Sequence, residues 1–72
     1  MIRITIINLG DKSQATAEHI DPITGDDKLT LKKGRNGADA ASKVIKALSK
    51  TLSGQPYVVD LGSGQQIKGV IS

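Results

Sequence analysis

Positions 2–7, Ile-Arg-Ile-Thr-Ile-Ile, alternate with a period of two, placing Ile2, Ile4 and Ile6 on one side and Arg3, Thr5 and Ile7 on the other. That period, with β-branched residues, predicts a strand. Asn8 to Lys12 carry turn chemistry. Residues 13–20, SQATAEHI, lack an apolar helical stripe and are assigned as a second strand folding back on the first as a hairpin. Asp21 to Asp27 form a polar loop, in which Pro22 presets a turn and the aspartates bond local amides. Lys28 to Lys32 alternate again, with Leu29 and Leu31 on one face, predicting a third strand.

The period then changes. Ala41, Val44, Ile45, Leu48 and Leu52 repeat at helical spacing and make one apolar stripe. Asn36 is a favoured N-cap residue, and Asp39 in the first turn suits the positive end of the helix dipole. Gly54 stands where a left-handed cap ends helices, and Pro56 prevents continuation. These signals predict a helix over about 37–53. Residues 57–61 and 66–71 read as two further strands joined through Gly62-Ser63-Gly64. The expected fold is a small α+β domain spanning 1–72 in the order β-β-β-α-β-β. An antiparallel-rich sheet should carry one amphipathic helix on one face.

Length and composition sharpen the picture. Seventy-two residues allow one domain with a marginal core. The chain has no cysteine, phenylalanine or tryptophan, and Tyr57 is its single aromatic. Disulfides and thiolate metal sites are thereby excluded, and burial falls to aliphatic side chains. A core this thin predicts that a second chain completes part of the apolar surface. No run approaches the roughly 20 apolar residues of a membrane span, and the N-terminus is too strand-like for a secretory signal. The chain is therefore expected in the cytoplasm or assembled in a particle, with no membrane partner.

Charge is strongly segregated. In residues 1–27, Arg3 and Lys12 face Asp11, Glu18, Asp21, Asp26 and Asp27. In residues 28–50, Lys28, Lys32, Lys33, Arg35, Lys43, Lys46 and Lys50 face Asp39 alone. Such a dipolar chain attracts polyanions or its own copies. The turn Lys32-Lys33-Gly34-Arg35-Asn36-Gly37 precedes a helix N-terminus, a natural place for an anion, but lacks a nucleotide-loop spacing. Lys43, Lys46 and Lys50 share one helix face. Together Lys32, Lys33, Arg35, Lys43, Lys46 and Lys50 are the candidate anion- or nucleic-acid-binding set. No aromatics interleave with them, so base stacking is not expected.

Catalytic chemistry finds little support. His19 and Glu18 are adjacent strand residues and point to opposite faces. The serines at 13, 42, 49, 53 and 63 lack a nucleophile-elbow context. The acidic loop lacks the ligand pattern of a calcium site. No catalytic residue, metal or cofactor is assigned. The last strand, Ile67, Lys68, Gly69, Val70 and Ile71, offers an open sheet edge and is the candidate protein interface.

The expected function is a non-enzymatic structural or interaction protein acting through protein–protein contacts and self-association. Small chains of this kind are frequent among phage and mobile-element products, as virion components or host-factor inhibitors. A nucleic-acid-binding accessory protein is the alternative.

Overall fold

Among the described residues, alternation in five segments and helical spacing in one produce five strands and one helix. The computed structural model describes residues 2–62 and 64–72. The strands are β1 (Ile2–Asn8), β2 (Ser13–Ile20), β3 (Asp27–Gly34), β4 (Pro56–Asp60) and β5 (Gln66–Val70), with α1 (Gly37–Leu48) between β3 and β4. The sheet order is β3-β2-β1-β4-β5. The β-β-β-α-β-β order and the α+β class predicted from the pattern are those of the structure. Ser63, expected in the turn before β5, lies outside the described residues.

Hairpins account for three of the four strand pairings, which are antiparallel. The fourth, β1 with β4, is parallel, so the sheet is mixed. A parallel pair cannot be closed by a tight turn and needs a long crossover. Here the chain leaves the β3 edge, crosses through α1, and enters β4 beyond the central strand. Register follows the alternation of β1: Ile4 lies opposite Ala17 on one side and Val59 on the other.

The core occupies one face only. Ile2 and Ile4, Ala15 and Ala17, and Val59 point from the sheet toward Ala40, Ala41, Val44 and Leu48 of α1, with Leu52 and Ile71 closing the far end. Alanines on β2 and α1 let the helix approach the sheet closely. Gly34, buried at the end of β3, extends this approach: a Cβ there would stand 2.6 Å from both the Ala40 amide nitrogen and the Asp39 carboxylate. Gly69 plays a related part at the other edge, where the Tyr57 ring lies across it.

The helix is shorter than its apolar spacing predicted, ending at Leu48 rather than near 53. The Ser49 hydroxyl donates to the Lys46 carbonyl at 2.7 Å, competing for a main-chain acceptor of the last turn. Beyond it the chain continues as turns in which the Leu52 amide still reaches the Leu48 carbonyl at 2.8 Å. Leu52 therefore stays in the stripe, 4% exposed, without belonging to the regular helix. Gly54, at φ +90°, reverses the chain, and its amide donates to the Ile71 carbonyl.

The third strand runs longer than Lys28–Lys32 and carries an inversion. Leu29 and Leu31 share a face as predicted, but it is the face away from the helix, where they are 68% and 49% exposed. Lys28, Thr30 and Lys32 point to the helix side instead, in register with His19, Ala17 and Ala15.

Gly34→Ala should destabilise the domain by about 1–3 kcal/mol, because the new methyl meets main-chain atoms that cannot rotate away. Urea denaturation of the variant checks this; an unchanged midpoint would show that the helix start can yield.

Candidate functional site

The basic residues gather along one side of the molecule. Lys32 on β3 and Lys43, Lys46 and Lys50 from the helix segment surround a shallow open depression floored by Ala47. An adjoining depression is lined by Lys12, Lys33, Gly34, Arg35 and Lys43. Lys43 belongs to both. Its Nζ lies 3.3 Å from the Lys33 carbonyl and 3.5 Å from the Asp39 carboxylate, so it is held over the end of β3.

Five of the six predicted cations thus contribute side chains to one continuous strip. Lys33 pairs with Gln14 on the opposite face of the sheet, so it presents its carbonyl here and its ammonium to the uncovered face. Lys12 was absent from the predicted set. The pairing of Ser13 with Gly34 brings its turn beside the helix start, and nothing local in the sequence signals that.

The helix N-terminus is capped in part by the chain itself. The Asn36 side chain accepts from the Asp39 amide at 2.8 Å, and the Asp39 carboxylate accepts from the Arg35 amide at 3.0 Å. The Asp39 side chain thus reaches back past the N-cap residue to the one before it, a variant of the capping box. The Arg35 amide, with Lys43 nearby, holds the Asp39 carboxyl below its ordinary range. The turn Lys32 to Gly37 is therefore a helix start whose negative partner is built in. Beyond it, Lys46 and Lys50 extend the positive charge along the helix segment.

On the acidic side, Asp21 organises the β2–β3 loop. One carboxylate oxygen accepts from the Ile23 and Thr24 amides at 2.8 and 3.3 Å; the other meets Lys28 Nζ at 2.6 Å. The Lys28 ammonium, then the Ile23 amide, lower its carboxyl to about 2. His19 turns Nε2 to the Thr30 hydroxyl at 3.0 Å, while Glu18 points to the other face, as strand alternation requires. Among the described residues no group of His, Asp or Glu converges as metal ligands. None of their helices is long and apolar enough to cross a membrane.

The second candidate surface is the bare side of the sheet. Ile7, Ile20, Leu29, Leu31 and Val70 are exposed there. Leu29 and Leu31 on β3 and Ile20 on β2 are near neighbours, since Ile20 pairs with Asp27 and Glu18 with Leu29. Sequence reasoning grouped Leu29 with Leu31 but could not tell which side the helix would take.

The predicted interface strand needs one correction. β5 is an edge strand with Ile67, Lys68 and Val70 exposed, but Ile71 is 1% exposed and belongs to the core. Its amide donates to the Gln55 carbonyl at 2.9 Å, fastening the end of the chain over Leu52.

Because the Asp21 carboxyl titrates lower in the folded chain than in the unfolded one, its ion pair adds stability above about pH 4. That contribution disappears as pH falls through about 2. Urea midpoints between these limits should drop more steeply for the parent chain than for Asp21→Asn, and parallel curves would refute the assignment. A scan against protein-family models and searches of curated proteins and of solved structures return no match.

Proposed function

We propose that this chain is a non-enzymatic interaction protein that works through protein–protein contacts and associates with itself. One observation carries the reading: no described residue covers the second face of the sheet, where Leu29, Leu31 and Ile20 cluster at the β3 end. Isolated apolar residues are ordinary on a surface, whereas neighbouring ones on adjacent strands favour a partner. The core gives the same argument from the other side. Its largest fully buried side chains are Ile4, Ile71 and Val44, so large aliphatics are scarce inside while several stay outside. Such a chain serves as a subunit of a larger particle or as an inhibitor seated on another protein.

Sedimentation of the isolated chain tests this. Self-association should be detectable at high micromolar concentration and should weaken when Leu29 and Leu31 are both replaced by threonine. A species that stays monomeric throughout the range would remove self-association from the reading.

A second reading has its own support in the strip formed by Lys12, Lys32, Arg35, Lys43, Lys46 and Lys50. With positive charge but no aromatic platform, it suits phosphate backbones without base readout. Four such contacts would give a slope of log affinity against log salt of about −3 to −4. The double variant Lys43→Glu, Lys46→Glu should abolish duplex binding in a titration at about 50 mM salt. Equal binding by parent and variant would exclude the strip.

A further inference from the structure

The interface strand named by the sequence is β5, but β3 is the other edge, and the two differ in how they can meet a copy of themselves. Backbone phase decides which groups each edge presents. The Asp21 amide donates to the Asp26 carbonyl at 2.9 Å. In the same antiparallel phase His19–Lys28, Ala17–Thr30 and Ala15–Lys32 are the hydrogen-bonded pairs of β2 and β3. Lys28, Thr30 and Lys32 thus turn their main-chain groups inward, leaving those of Asp27, Leu29, Leu31 and Lys33 on the open side. The Lys33 carbonyl agrees, being turned away from β2 and accepting from Lys43. On β5, the Ile71–Gln55 and Leu61–Gln65 bonds fix the opposite edge likewise. There Gln66, Lys68 and Val70 point outward.

We propose that β3 pairs antiparallel with β3 of a second copy, about a two-fold axis passing through Thr30, fusing the two sheets into one. The inference rests on the self-associating reading above and names its seam. In this register all four outward residues of each strand find partners: Leu29 lies opposite Leu31 of the other copy, and Asp27 lies opposite Lys33. Each such pair exchanges two main-chain hydrogen bonds, the Asp27 amide of the other copy joining or displacing Lys43 at the Lys33 carbonyl. The leucine pairs join across the seam on the uncovered face, and the charge pairs flank them at both ends. Lysine on an edge ordinarily discourages pairing; here Lys33 meets a carboxylate. On the helix side the axis sets Lys28 opposite Lys32, but Lys28 is already paired with Asp21 at 2.6 Å. The same operation brings the two basic strips alongside each other, a repulsion that a bound polyanion would relieve. The register of β5 that pairs all three of its outward residues has no comparable match, since it places Lys68 directly against Lys68 of the other copy. A two-fold interface must be complementary to itself, and β3 meets that condition where β5 does not.

A charge exchange tests the seam in the intact chain. Asp27→Lys and Lys33→Asp should each weaken dimerisation about tenfold in sedimentation equilibrium, since each creates two like-charge contacts per dimer. The double exchange should restore the parent affinity. Independently, Thr30→Cys introduces the sole cysteine of the chain at a site where the two Cα atoms approach to about 4.5 Å. It should form a disulfide-linked dimer on oxidation. A dimer that ignores both charge changes and resists cross-linking at position 30 would overturn the β3 seam while leaving self-association intact. A chain that is monomeric at high micromolar concentration would remove both.

Discussion

One short helix has to serve a five-stranded sheet, and most of the molecule follows from that mismatch. Twelve residues of helix extend about 18 Å and are about 10 Å across, whereas five strands span about 19 Å. The helix therefore packs on β3, β2 and β1, and only on one face. Over the remaining strands the cover comes from single side chains: Leu52 after the helix, Ile71 after β5, and Tyr57 lying on Gly69. Among the described residues, none covers the opposite face. Close packing under the helix is achieved with alanine and glycine, which bring the backbones together but bury little apolar area per residue.

That arrangement explains why charge and apolar surface are distributed as they are. The helix must start at the end of β3, and Gly34 with Asn36 and Asp39 makes that junction tight. A tight junction holds the flanks of β3 and α1 together, so lysines on both elements converge into one strip. Because Lys28, Thr30 and Lys32 occupy the helix side of β3, its leucines are forced to the bare side. The strand is therefore polar under the rim of the helix and apolar on its solvent side. The parts that remain without an obvious partner, the β3 edge and the bare face, adjoin each other.

Much of the fold was legible in local periodicity. The five strands and the helix announce themselves because alternation and helical spacing are properties of neighbouring residues. Asn36 and Asp39 were recognisable as a helix start, and the bond from the Asp39 amide to the Asn36 side chain bears out the capping logic. The helix end was overestimated because Leu52 keeps the apolar spacing after the regular hydrogen bonding has stopped at Leu48. Ala40 gave no periodic signal despite being fully buried, since alanine is equally common on exposed helix faces. The basic strip was visible as six residues. Lys12 joined them, and Lys33 presented its ammonium elsewhere, through strand register alone.

The sequence by itself determined the element types, their order, the cap chemistry, the lack of cysteine and the segregation of charge, all set by composition or by residues a few positions apart. The tertiary structure decided what depends on contacts distant in the chain. It placed β1 parallel to β4, put Ile71 in the core, left β3 and β5 as edges, and chose which side of β3 the helix would cover. Alternation divides a strand into two faces but does not say which one is buried, because that is fixed by where the helix finds its best packing. For this chain, that choice put Leu29 and Leu31 in solvent.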